Sequence, residues 1–157
     1  MADVFELMLA LDLRPDLPEP ELDELRWHLG LGPEPEALRI VTAFPWVVED
    51  DEGMPVVENH PEPLLAQRGE AYRIGGALVS LLVRRERAGR GAWALTSRQE
   101  IHPDDFDRTG ELLAWLATAA ADAHRHDGGV DLGWTRFHEE RRPVPLTVRG
   151  GAVVWPS

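Results

Sequence analysis

The sequence predicts an α+β fold, in which one antiparallel sheet carries two helices on one face, and three observations predict it. Residues 4–13 alternate apolar and polar with a period of two. Two stretches carry acids at their start and basic residues at their end, as a helix dipole favours. Between them lie apolar runs bounded by glycine and proline, which read as strands. A chain of 157 residues fits one domain spanning 1–157, large enough to bury a core without disulfides or structural metal.

The first strand, 4–13, sets Phe5, Leu7, Leu9, Leu11 and Leu13 on one side and Glu6, Met8, Ala10 and Asp12 on the other. It stops at Arg14-Pro15-Asp16-Leu17-Pro18-Glu19-Pro20, where the prolines have no ladder donor. A helix over about 21–29 follows, with Leu22, Leu25 and Leu29 as its apolar stripe, His28 in its last turn and Gly30 as its cap. Residues 31–71 form an irregular insertion. It holds a strand over 38–44 and a loose hairpin of 46–49 and 54–57 around Asp50-Asp51-Glu52-Gly53, then a proline-bearing connection over 59–69.

A second hairpin pairs 77–87 with 92–102 through the turn Ala88-Gly89-Arg90-Gly91. The longest helix opens with Pro103, Asp104, Asp105 and Asp107 and closes with His124, Arg125 and His126, ahead of Asp127-Gly128-Gly129. A strand over 130–139 and a terminal hairpin over 145–155, turning at Arg149-Gly150-Gly151, complete the chain. Without the insertion the order is strand, helix, strand, strand, helix, strand. That order resembles the split βαβ layout of ferredoxin-like folds, which implies two helices on one sheet face and hosts many unrelated functions.

All 16 basic residues are arginine, since the chain has no lysine, and it has no cysteine. Schiff-base and phosphate-loop lysines, thiolate nucleophiles and cysteine-held metals are therefore excluded. Abundant Arg, Ala, Gly and Pro beside absent lysine reads as coding from a GC-rich bacterial genome. No basic leader opens the chain and its longest apolar run, 112–121, is too short to span a bilayer, so the expectation is a cytoplasmic protein without a membrane partner. The net charge of −12 sits almost wholly in residues 1–62, and such a field repels nucleic acid. The basic stretch Arg84-Arg85-Glu86-Arg87-Ala88-Gly89-Arg90 reads as a solvated hairpin tip.

Candidate chemistry concentrates on the sheet face away from the helices. Alternation puts Thr96, Arg98, Glu100 and His102 there beside Glu6, Met8 and Asp12, while Trp93, Leu95 and Ile101 point to the helices. In the 130–139 strand, Leu132, Trp134, Arg136 and His138 share a side, taken as the open one. Arg98, Arg136, His138 and Glu6 are thus candidates for an anionic ligand, with Glu100 and His102 as acid or base. A salt-bridged surface or dimer interface explains the same residues, and helix capping explains His102. His124 and His126 cannot share a metal from one helix face, no His-Glu-x-x-His occurs, and the glycine pairs lack dinucleotide spacing, so neither metal nor cofactor is indicated. Ser80 and Ser97 lack a nucleophile elbow. Asp50, Asp51, Glu52 and Trp46 are the candidates for touching a protein partner.

No spacing specifies a reaction. The sequence favours a non-catalytic domain acting through protein association, as a homodimer through its open face or an edge strand, or with a basic partner on its acidic section. The alternative is a small-molecule binder or enzyme, holding an anionic ligand between the open face and the 44–70 insertion.

Overall fold

A computed structural model describes residues 3–86 and 92–156. The protein is a mixed α+β structure. Its strands are β1 (Phe5–Leu13), β2 (Pro45–Glu49), β3 (Pro55–Asn59), β4 (Gly69–Glu70), β5 (Ala77–Arg84), β6 (Trp93–Ile101), β7 (Arg125–His126), β8 (Gly129–Phe137), β9 (Val144–Arg149) and β10 (Ala152–Val153). Its α-helices are α1 (Glu19–His28) and α2 (Phe106–Ala119).

The main sheet is antiparallel in the order β10-β9-β8-β1-β6-β5-β4, with β7 added against β8. Among the described residues, β2 and β3 pair only with each other. The alternation in β1 is realised as expected: Leu7, Leu9, Leu11 and Leu13 are buried with Leu95, Ile101 and Leu132 beneath Leu22 and Leu25 of α1 and Leu112, Leu113 and Leu116 of α2. Burying such leucines stabilises by roughly 1.5–3 kcal/mol each, so this face holds the molecule together. Trp115 of α2 donates its indole N–H to Glu21 of α1 at 3.1 Å, tying the two helices side by side.

Several elements differ from the sequence reading, each for a local reason. Residues 38–44 form no strand, because the amides of Arg39, Ile40 and Val41 are taken by the carboxylate of Glu24 and not by a ladder. Helix α2 ends at Ala119, well before His124: Ala120 turns extended and bridges Leu13. His124, Arg125 and His126 therefore lie in a 3₁₀ turn and in β7. Arg125 still reaches back, donating to the carbonyls of Ala117 and Ala120 at 3.1 and 3.3 Å, so it serves the helix end from outside it. β4 has two residues and no periodicity to announce it. The turn expected at 88–91 lies outside the described residues. The C-terminal hairpin turns at Gly150 and Gly151, both at positive φ (58° and 78°) as a tight hairpin requires.

Strand β8 breaks the simple alternation. A bulge between Asp131 and Gly133 shifts its register, so Val130 and Leu132 enter the core while Trp134 and Arg136 lie on the opposite face. Gly133, at φ 147°, crosses β1 so closely that a Cβ would lie 1.9 Å from the Met8 carbonyl oxygen. No helix among the described residues is long and apolar enough to cross a membrane.

Candidate functional site: the open sheet face

The pairing registers define the face turned away from the helices. One row across it reads Glu100, Glu6, Arg136; the next reads Val79, Arg98, Met8, Trp134, Pro145; the third reads Leu81, Thr96, Ala10; the fourth reads Val83, Ala94, Asp12. The sequence placed Glu6, Arg98, Glu100 and Arg136 on this face, and the structure brings Glu6, Arg98 and Arg136 into one cluster. Glu6 is buried between the two arginines, accepting from Arg98 Nε at 2.7 Å and from Arg136 Nε at 2.9 Å. Each guanidinium has a further anchor: Arg98 Nη1 donates to the Ala77 carbonyl at 2.9 Å, and Arg136 Nη1 to those of Glu140 and His138 at 2.6 and 3.2 Å. The arginines are thus held by the protein itself, and each carboxylate oxygen of Glu6 carries an arginine.

Glu100 is engaged differently. Its carboxylate accepts the backbone N–H groups of Tyr72, Arg73 and Ile74 at 2.6, 2.6 and 3.1 Å, pinning the 71–76 loop over the corner of the sheet. Burial pushes this carboxyl up, but the three amides and the nearby Arg98 charge outweigh it and hold it below the ordinary range. A group so held keeps its negative charge and has its oxygens occupied, which suits an anchor and not a proton donor. His102 accepts from the Asp104 amide at 3.1 Å, the capping role weighed from its place before the helix. His138 does not join the cluster: its ring lies over the Val4 backbone, with Nδ1 3.1 Å from the Val4 carbonyl, and packs edge-on against Phe137.

Among the described residues the insertion packs toward the helix side of the sheet, where Val41, Phe44 and Leu65 join the core, and no cavity there is lined by Arg98 or Arg136. Ser80, Ser97 and Gln99 point there, buried, and supply polar groups to the insertion backbone. Ser80 Oγ donates to the Leu65 carbonyl at 2.7 Å, and Gln99 receives the Gln67 amide at 2.9 Å while donating to the Gln67 carbonyl at 3.1 Å. The two serine hydroxyls lie 2.6 Å apart in this network. Period-two alternation alone marks this trio as inward, a signal available in the sequence.

A second buried carboxylate repeats the device used by Glu100. Glu24 on α1 accepts the amides of Arg39, Ile40 (2.9 Å) and Val41 (3.0 Å) and pairs with His28 Nε2 at 3.2 Å. Burial raises its pKa, yet the amides of Val41, Ile40 and Arg39 and the His28 hydrogen bond bring it net below the ordinary value. Burial also drives His28 down, against the opposing pull of Glu24, so the imidazole is neutral and donates from Nε2.

The acidic residues of the insertion stand apart. Asp50 closes the β2–β3 turn by accepting the amides of Glu52 and Met54, both at 2.9 Å, while Asp51 and Glu52 project into solvent. Trp46 is half exposed and stacks on His60 with centroids 6.0 Å apart. Among the described residues, no group of three or more His, Asp or Glu side chains is placed to hold a metal.

The face therefore has neutralised charges at one end and exposed Val79, Leu81 and Val83 at the other. The chain matches no protein-family model, no curated protein and no solved structure at a significant level.

Proposed function

We propose that this protein works by associating with another protein chain through its open sheet face, without catalysing a reaction. One observation carries the reading. An uncovered face with Val79, Leu81, Val83 and Ala10 exposed and Met8 and Trp134 half-exposed adjoins ionic groups already satisfied within the chain. Such a surface loses little by being desolvated and gains by removing apolar area from water. The order β8-β1-β6-β5, with α1 after β1 and α2 after β6, fits the ferredoxin-like reading, in which this face is the one left for a partner. We take self-association first and a basic partner at Asp50, Asp51, Glu52 and Trp46 second. Light scattering on the purified protein is the test: a dimer at micromolar concentration supports the first. A monomer that also retains no protein in a pull-down would overturn the proposal.

A second reading has one observation in its favour. A cavity of about 550 Å³ at the end of the sheet is lined by Phe5, Phe137 and Val144 with Arg136 and Arg142. An aromatic carboxylate suits it, apolar body on the phenylalanines and anion on Arg142. Calorimetric titration with benzoate, before and after Arg142→Ala, tests this reading.

A further inference from the structure

The outer edge of β5 has the properties of an interface strand. β4 pairs only with Ala77 and Leu78, so from Val79 to Arg84 no strand among the described residues lies against this edge. Val79, Leu81 and Val83 project from it onto the open face, 36%, 51% and 55% exposed. Edge strands are ordinarily blunted by charge, proline, a bulge or brevity. The opposite edge of the sheet follows that rule, ending in the two-residue β10 just before Pro156. β5 has eight residues, with no proline, no bulge against β6 and no charge before Arg84.

We propose that β5 pairs antiparallel with β5 of a second copy, about a twofold axis through Leu81 and perpendicular to the sheet. This deepens the association reading above and rests on it. The argument for a second copy is self-complementarity. In an antiparallel pair, opposed residues point to the same side, so an axis at Leu81 sets Leu81 against Leu81, Val79 against Val83 and Ser80 against Leu82. Every outward position then meets an apolar partner. An axis one residue later would oppose Val79 to Arg85 and Ser80 to Arg84.

Charge points the same way. Two chains at −12 repel unless their contact avoids acid, and β5 contains none. The free edge is bounded by Glu70 at one end and by Arg84 and Arg85 at the other, all three at its margins. With the axis at Leu81, Arg84 and Arg85 run toward Leu78 and Ala77 of the other copy, whose edge Gly69 and Glu70 already hold, so the new ladder spans Val79 to Val83 and stops where Arg84 and Arg85 meet Glu70 of the other copy. A closed twofold also ends the edge, so association stops at two.

The absence of native cysteine makes a direct test available. Leu81→Cys and Val83→Cys introduce single thiols at nearly equal exposure, so chance collision would oxidise both alike. Opposed Cα atoms in an antiparallel pair lie about 4.5–5.5 Å apart, within disulfide reach. Two copies of Val83, four residues out of register, lie about 14 Å apart, beyond it. The expected result is a dimeric wild type by light scattering and Leu81→Cys cross-linking about tenfold or more faster than Val83→Cys. A mixture of Val79→Cys and Val83→Cys should link as the mixed pair. Val57→Cys, on the exposed β2–β3 hairpin, is the control for an interface elsewhere. Equal rates at positions 81 and 83, or preferential linking at position 57, within a dimeric wild type would overturn the β5 pairing and leave association standing. A wild type that stays monomeric would overturn the pairing together with self-association.

Discussion

Replacing Glu24 by Gln probes how the insertion is held. The wild-type carboxylate is fully buried and accepts three backbone amides and one imidazole N–H. Glutamine keeps one oxygen, which can still serve Arg39 and Ile40. Its NH₂ then faces the Val41 N–H and the His28 Nε2–H, donor against donor. Two charge-assisted bonds are lost and two buried donors stranded, each loss worth about 1–3 kcal/mol and partly relieved by relaxation, so we expect destabilisation of about 2–4 kcal/mol. The assay is urea unfolding followed by tryptophan fluorescence, since Trp27 packs 4.8 Å from the His28 ring. The pH dependence supplies the sign. The Glu24 carboxyl is depressed below its ordinary value of 4.5, so its stabilisation is full above that value and is lost as pH falls through the folded-state value. Wild type and variant should therefore differ most near neutrality and converge in acid. A loss below about 1 kcal/mol at pH 7, or a gap unchanged by acid, would refute the argument.

Glu100→Gln should speed hydrogen exchange at the amides of Tyr72, Arg73 and Ile74 while leaving those of β1 unchanged, as mass spectrometry of the corresponding peptides would show. Glu6→Ala leaves Arg98 and Arg136 facing each other without their shared counter-charge and should cost about 3–5 kcal/mol, more than Glu6→Ala made together with both Arg98→Met and Arg136→Met; equal losses in denaturant would contradict it. Gly133→Ala places a Cβ onto the Met8 carbonyl and should lower the midpoint by at least about 2–3 kcal/mol equivalent, or abolish soluble expression. His28, depressed by burial, should make stability fall as pH drops below its ordinary value of 6.5, and His28→Gln should flatten the curve between about pH 5 and 7.

What was legible in the sequence follows from period and punctuation. β1, β6 and the C-terminal turn were visible because alternation and paired glycines are local signals, and the joining of Glu6 with Arg98 and Arg136 followed from alternation across three strands. The failures share a different cause. Glu24 is one acid among the many in residues 1–62, with no local signal to single it out, yet it organises residues 39–41, which form no strand. The end of α2 was misplaced because Ala120 and Ala121 extend an apolar, helix-compatible run, and only the bridge from Ala120 to Leu13 terminates it. Leu132 was assigned to the wrong face because a single bulged residue reverses parity. Each miss is a long-range contact overriding a local preference.

Two of the buried glutamates, Glu24 and Glu100, divide the molecule into parts with different kinds of cohesion. The strands β8, β1 and β6 are joined by ladder bonds that no proton can remove, whereas carboxylates fasten residues 39–41 to α1 and residues 72–74 to β6. Acid should therefore act as a solvent for the stitching before it acts on the cloth. Once the pH falls below the depressed values of these two carboxyls, the inserted third should come away as a unit, uncovering Ser80, Ser97 and Gln99, while the sheet beneath keeps its register.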